Sequence, residues 1–246
     1  LILVGQLEPL NAFLDAHASA LEQSIEDGSY PLHVAVSTPA ATQLLSALLQ
    51  RGADPNKADA QGRTPLLKAI ECENAVAVAQ LKTATTLRDI FTEIALGDEA
   101  AVAALINRDP RSSHETHPDG VTPLFHAAFS GSLPIATHLL DAGADPTPQS
   151  ERFWACLSPL HLSLQRRHSA VTRLLLVRGA DPDLYSSTSY RPTPLHSAAR
   201  WGTLDDIQLL LDCGADLYGG QESPTQPDNG ILAWMCRAGQ TPVLEL

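Results

Sequence analysis

Residues 193–216, TPLHSAARWGTLDDIQLLLDCGAD, carry their apolar side chains on two successive helical rhythms with a glycine between them. Leu195, Ala198 and Ala199 put a small apolar face on a first helix. Leu204, Ile207, Leu210 and Leu211 then recur at helical spacing and predict a second, antiparallel helix. Thr193 can cap the first helix through its hydroxyl, and Pro194 falls at the first helical position, where a missing N–H does no harm. Gly202 is expected to end that helix in a left-handed conformation and Gly214 to close the second. One such pair cannot bury its apolar face alone, so neighbours must cover it.

The chain supplies the neighbours. The phrase at Thr193 recurs at Tyr30 (YPLHVAV), Thr64 (TPLLKAI), Thr122 (TPLFHAA) and Ser158 (SPLHLSL), with weaker copies at Arg88 and Gly230. Successive intervals are 34, 24, 34, 36, 35 and 37 residues. A second phrase, GAD, stands at Gly52, Gly143, Gly179 and Gly214, always 21 or 22 residues after the first. Two phrases locked in phase define an array.

TPLH followed by paired alanines, then G-x-L and LLLxxGAD, resembles the ankyrin repeat, whose period is about 33 residues. The resemblance implies an all-α solenoid of stacked antiparallel helix pairs with turn or hairpin loops, occupying residues 1–246 as one array. Its units read as a partial repeat 1–27, repeats 28–61, 62–86 (shortened), 87–119 (degenerate), 120–155, 156–190 and 191–227, and an incomplete 228–246. In the shortened unit the GAD turn is missing, which predicts a curtailed second helix and an offset in the stack. Both ends fall inside a repeat without an obvious polar cap. Either the chain belongs to a longer protein, which is the expectation, or its terminal caps are altered.

Composition narrows the function. The formal net charge of −12 disfavours nucleic acid and anionic membranes as partners, since both present phosphates. No apolar run reaches the ~20 residues needed to span a bilayer. Cysteines 72, 156, 213 and 236 show neither CxxC nor metal-ligand spacing and read as small buried residues of a reducing compartment, which predicts an intracellular, cytoplasmic placement.

The chain carries no recognisable catalytic or metal-binding motif. HETH at 114–117 has its histidines three apart, not the four that place two ligands on one helix face, and falls in a turn between repeats. Phosphate-cradling glycine loops and the strained-serine elbow are absent. His33, His126, His161 and His196 lie in or beside the repeated phrase, and repetition itself argues for a scaffold role. No catalysis, cofactor, metal or small-molecule substrate is expected.

The resemblance also implies a surface. Turn tips and the outward side of the first helices would form a concave face, reached here by Ala60, Gln61, Arg63, Glu71 and Cys72, then by Asp119, Val121, Phe129 and Ser130, and later by Trp154, Leu157, Gln165, Arg166, Tyr190, Pro192, Arg200, Trp201 and Arg237. Seven of these, Phe129, Trp154, Arg166, Tyr190, Arg200, Trp201 and Arg237, combine the residue types enriched in binding hot spots. Residues 1–150 hold 18 acidic against 8 basic side chains, whereas residues 151–246 hold 10 against 8, the basic ones all arginine. The expected partner is a protein or peptide offering apolar and acidic side chains. A second expectation makes the array the recognition arm of a larger multidomain protein, a ubiquitin-ligase adaptor or an enzyme with its catalytic domain elsewhere.

Overall fold

The computed structural model describes residues 17–25, 28–38, 41–72, 74–86, 88–117, 120–148, 158–185 and 192–217. Among them are twelve α-helices and no strand: α1 (Pro31–Val36), α2 (Ala41–Gln50), α3 (Pro65–Glu71), α4 (Ala75–Ala84), α5 (Ile90–Leu96), α6 (Glu99–Arg108), α7 (Pro123–Ser130), α8 (Leu133–Asp141), α9 (Pro159–Gln165), α10 (Ser169–Val177), α11 (Pro194–Trp201) and α12 (Leu204–Asp212). Two 3-10 turns, Ala18–Glu22 and Pro110–His114, complete the list. The chain divides into two compact units, residues 1–96 and 97–246.

In the first unit α1 packs on α3 and α3 on α5, while α2 packs on α4. Leu32, Leu44, Leu45, Leu48, Leu66, Ala69 and Leu81 form the buried core between them. The Asn74 side chain donates to the Val36 carbonyl at 2.9 Å and accepts the Ala77 N–H at 3.1 Å, so one residue caps α4 and ties it to the preceding repeat. The second helix of the short unit is not curtailed: α4 runs a full ten residues. The short spacing falls after the helix instead: α5 begins at Ile90, six positions beyond Ala84, and its first turn is capped by Asp89 accepting the Thr92 N–H at 2.8 Å. Losing a loop costs little, whereas losing a helical turn would unbury Ala77 or Leu81. Beyond α4, Asn56 accepts the Thr86 N–H at 3.1 Å.

The second unit has a row of first helices, α7, α9 and α11, and a row of second helices, α6, α8, α10 and α12, each packed on its neighbour. Leu124, Ile135, Leu139, Leu160, Val171, Leu175, Leu195, Ile207 and Leu210 are completely or almost completely buried. The rows can approach because the fifth residue after each marker is small: Ala127, Ser163 and Ala198 are fully buried, as are Ala35 and Ala69 in the first unit. The degenerate repeat breaks this rule with Glu93, buried to 5% exposure. Leu204, expected on the buried face, is exposed; it opens α12, whose inward side is carried by Ile207 and Leu210.

Helix starts follow the expected chemistry, with proline in the first turn after an extended cap residue at Tyr30, Thr64, Thr122, Ser158 and Thr193. Thr64 accepts the Leu67 N–H at 3.2 Å. At Ser158 and Thr193 the cap closes through histidine. Nδ1 of His161 accepts the Ser158 N–H at 3.3 Å and lies 2.8 Å from its hydroxyl, and Nδ1 of His196 stands the same way toward Thr193, at 3.2 and 2.9 Å. In the copy at Thr122 the histidine is replaced by Phe125, and the buried Thr122 hydroxyl is left with no hydrogen-bond partner.

Helix ends hold a correction. Gly131 takes the expected left-handed conformation, φ 74°, but Gly202 is extended, φ −74° and ψ −170°. Glycine is needed at 202 for space: a Cβ there would lie 2.9 Å from the Ala198 Cα and carbonyl oxygen. The equivalent place in the repeat between them is Arg167, φ 62°, the one non-glycine residue with positive φ among the described residues. That conformation costs an L-residue roughly 1 kcal/mol or more.

Two cysteines were misplaced by composition. Cys72 and Cys213 are exposed, because each follows the last turn of a helix and points outward; Cys156 and Cys236 lie outside the described residues. His114 ends the 3-10 turn Pro110–His114, and the His117 N–H donates to the Val121 carbonyl at 2.9 Å. No helix among the described residues is long and apolar enough to cross a membrane.

Candidate functional site

The last turns of α7, α9 and α11 bring the later aromatic and arginine residues together. Phe129 lies in the last turn of α7, Arg166 directly follows α9, and Arg200 and Trp201 end α11. The Arg166 guanidinium stands over the Phe129 ring at 3.8 Å from its centroid, and that of Arg200 over the Trp201 ring at 4.6 Å. Each contact contributes ~0.5–1 kcal/mol at an exposed position. Arg166 and Arg200 are exposed, and Trp201 keeps 37% of its surface open.

Arg167, which sequence reasoning passed over, joins the two pairs. Its Nε–H donates to the Trp201 carbonyl at 2.7 Å, across an interval of 34 residues. Its neighbour His168 places Nε2 3.2 Å from the Phe129 carbonyl. Three consecutive side chains, Arg166, Arg167 and His168, therefore reach both adjoining repeats. The signal was present: an arginine stands where Gly131 and Gly202 stand in the flanking copies, but its conformation is a property of the folded backbone.

Other expected positions divide. Ala60, Glu71, Cys72 and Ser130 are exposed, and Gln61, Arg63, Gln165 and Pro192 half-buried. Val121, expected on the open face, is buried to 1% exposure, and its carbonyl accepts the His117 N–H. Trp154, Tyr190 and Arg237, with Asp119 and Leu157, lie outside the described residues. Arg63 is engaged internally, bridging Asp59 at 2.8 Å and Glu71 at 3.6 Å. Burial of Asp59 would raise its carboxyl, but hydrogen bonds and charge from Arg63 prevail and hold it below the usual carboxylate range.

The repeated histidines belong to the scaffold. His161 Nε2 lies 3.1 Å from the Pro192 carbonyl and His33 Nε2 2.8 Å from that of Arg63, each the residue just before the next marker. Since Nδ1 accepts from the cap residue, the ring proton sits on Nε2 and is donated forward. Burial pushes His161 down to about 4 and lowers His33 as well, against the raising effect of those same backbone bonds. Neutral rings are what this geometry needs. A hollow of about 320 Å³ lies beside the 3-10 turn, lined by His114, Thr116, Thr122 and Asp145 among others. Among the described residues no three His, Cys, Asp or Glu side chains are grouped to hold a metal ion.

Comparison with known proteins places this geometry. Residues 153–219 match the family model described as "Ankyrin repeats (3 copies)", residues 32–81 the one described as "Ankyrin repeats (many copies)", and residues 119–151 "Ankyrin repeat". Among curated relatives, the chain is similar to Rabankyrin-5 of Mus musculus, 27% identical over 65% of this chain and 14% of that protein. It is similar to the nuclear factor NF-kappa-B p105 subunit of Gallus gallus, 28% identical over 76% of this chain and 16% of that protein. A third is the probable E3 ubiquitin-protein ligase XBOS31 of Oryza sativa subsp. japonica, 32% identical over 53% of this chain and 29% of that protein. The chain thus spans a minor part of the length of the relatives it matches.

Proposed function

We propose that this chain, which belongs to the ankyrin-repeat family, captures a partner polypeptide on the face formed by its inter-repeat turns and first-helix ends, without catalysing a reaction. Ankyrin repeats are protein-interaction modules. The observation that carries the reading is the run Phe129, Arg166, Arg167, Trp201 and Arg200, in which stacking and one hydrogen bond hold a half-open indole and three exposed guanidiniums in fixed positions. Preorganised aromatic and arginine side chains lose little entropy on binding and are the types that dominate interface energetics. The reading treats residues 1–246 as one array, with Trp154, Tyr190 and Arg237 extending the same face. The net charge of −12 directs it toward polypeptides rather than nucleic acids or anionic membranes.

A second reading makes the array the recognition arm of a larger protein, as an adaptor in ubiquitin transfer or beside a separate catalytic domain. It is favoured by the small share, 14% to 29%, that the match takes of the named relatives, one of them called a probable ubiquitin ligase. The deciding experiment is affinity capture from source cells with the intact chain and an Arg200→Ala/Trp201→Ala variant side by side. Loss of the captured partner with the helical signal intact supports the reading. Unchanged capture retires this face.

A further inference from the structure

Arg167 is the most unusual residue in the described chain. It takes a left-handed conformation at the place the flanking repeats fill with glycine, left-handed at Gly131 and extended at Gly202, and it is exposed, so no core packing requires its side chain. Strain of this kind collects at ligand clamps, where the surroundings hold it in place. The surroundings here are specific. The Nε–H is spent on the Trp201 carbonyl, which fixes the plane of the guanidinium. The terminal Nη1–Nη2 edge takes no part in that bond and is the edge that grips two oxygens of an oxyanion at once.

Two further guanidiniums flank it. Arg166 adjoins it in the chain and is steadied by the Phe129 ring; Arg200 lies over the indole of the same Trp201 whose carbonyl Arg167 holds. The three guanidiniums come from two neighbouring helix ends that meet at Trp201, on a chain of net charge −12. One carboxylate is satisfied by one fork. A tetrahedral dianion has oxygens enough for several, and gains more from three cations.

We propose that Arg167, with Arg166 and Arg200, receives a phosphoryl group carried on a side chain of the partner polypeptide. This rests on the partner-binding reading above and states the chemistry that the partner brings. The left-handed backbone at Arg167 aims the guanidinium, and the neighbouring repeats hold it there before the partner arrives.

The test titrates the full native chain by calorimetry. The probes are acetyl-Gly-phosphoserine-Gly amide, its serine and glutamate counterparts, and inorganic phosphate, at low ionic strength. A saturable change is expected with the phosphoserine peptide, at least tenfold tighter than with the glutamate peptide or inorganic phosphate, and none with the serine peptide. Arg167→Gly should weaken the phosphopeptide at least tenfold while leaving helicity unchanged and moving the thermal midpoint little, because relief of the left-handed strain offsets the lost bond to the Trp201 carbonyl and glycine takes this conformation at Gly131. Arg167→Lys, which keeps the charge and loses the fork, should fall between. No saturable change, equal binding of glutamate peptide or inorganic phosphate, or wild-type affinity in Arg167→Gly and Arg167→Lys would each overturn the proposal. The partner-binding reading fails separately, if the Arg200→Ala/Trp201→Ala variant still captures its partner.

Discussion

His161 lies 3.1 Å through Nε2 from the carbonyl of Pro192, and in this bond one repeat holds the next. The same ring accepts the Ser158 N–H through Nδ1, so a single neutral imidazole closes a helix cap and clasps the following turn. Both contacts need one protonation state. Protonating Nδ1 would turn an acceptor toward a donor, inside a site with no solvent exposure.

The pH dependence follows from burial. Because the folded value of His161 is pushed down to about 4, below the ordinary 6.5, the folded state favours the neutral ring. Its contribution is fully present above pH 6.5 and is lost as pH falls toward 4, on the order of 3 kcal/mol over that window. His33, lowered for the same reason, acts in the same direction. Urea denaturation at pH 7 and pH 4.5 should show a marked loss in the native chain and a smaller loss in His161→Gln. Equal losses would mean that the titration lies elsewhere.

Leu175 tests the distribution of stability. It is fully buried in the second unit, and Leu175→Ala should cost about 2–5 kcal/mol through lost burial and the cavity left behind. Since each repeat contacts only its neighbours, that loss should melt part of the stack and leave the rest folded. Calorimetry should resolve two transitions. One cooperative transition would contradict a stack with local contacts only.

Thr122 and Ser158 hold equivalent places but unequal bonds. Ser158→Ala removes contacts to His161 and should cost about 1 kcal/mol, whereas Thr122→Ala removes a hydroxyl that bonds nothing and should cost well under that. Comparable losses in thermal midpoint would show that the Thr122 hydroxyl is engaged after all.

Glu93 occupies the slot that alanine or serine fills elsewhere. One carboxylate oxygen lies 3.5 Å from Arg88 and the other, buried, has no hydrogen-bond partner. Replacing a poorly satisfied buried carboxyl group with an apolar side chain of similar volume is often stabilising. Glu93→Met should therefore raise the urea midpoint of the first unit by the equivalent of about 1 kcal/mol. A lower midpoint would assign Glu93 a structural role that its contacts do not show.

Local chemistry and period were legible in the chain. Helix starts at Thr64, Thr122, Ser158 and Thr193, the buried leucine stripes and the scaffold role of the repeated histidines follow from residue type and spacing, because caps and amphipathic faces depend on neighbours within four positions. Contacts across some thirty residues were not. That Phe129 lies under Arg166, that Arg167 grips the Trp201 carbonyl, that Val121 turns inward and that Gly202 is extended became visible only once adjoining repeats were stacked. Side chains at a helix end have no local period to betray their direction, and their partners come from another turn of the array. By itself the sequence determined that like units repeat and how each unit folds. The tertiary structure decided which charges and rings meet between units, since only stacking brings the ends of separate helices within reach of one another.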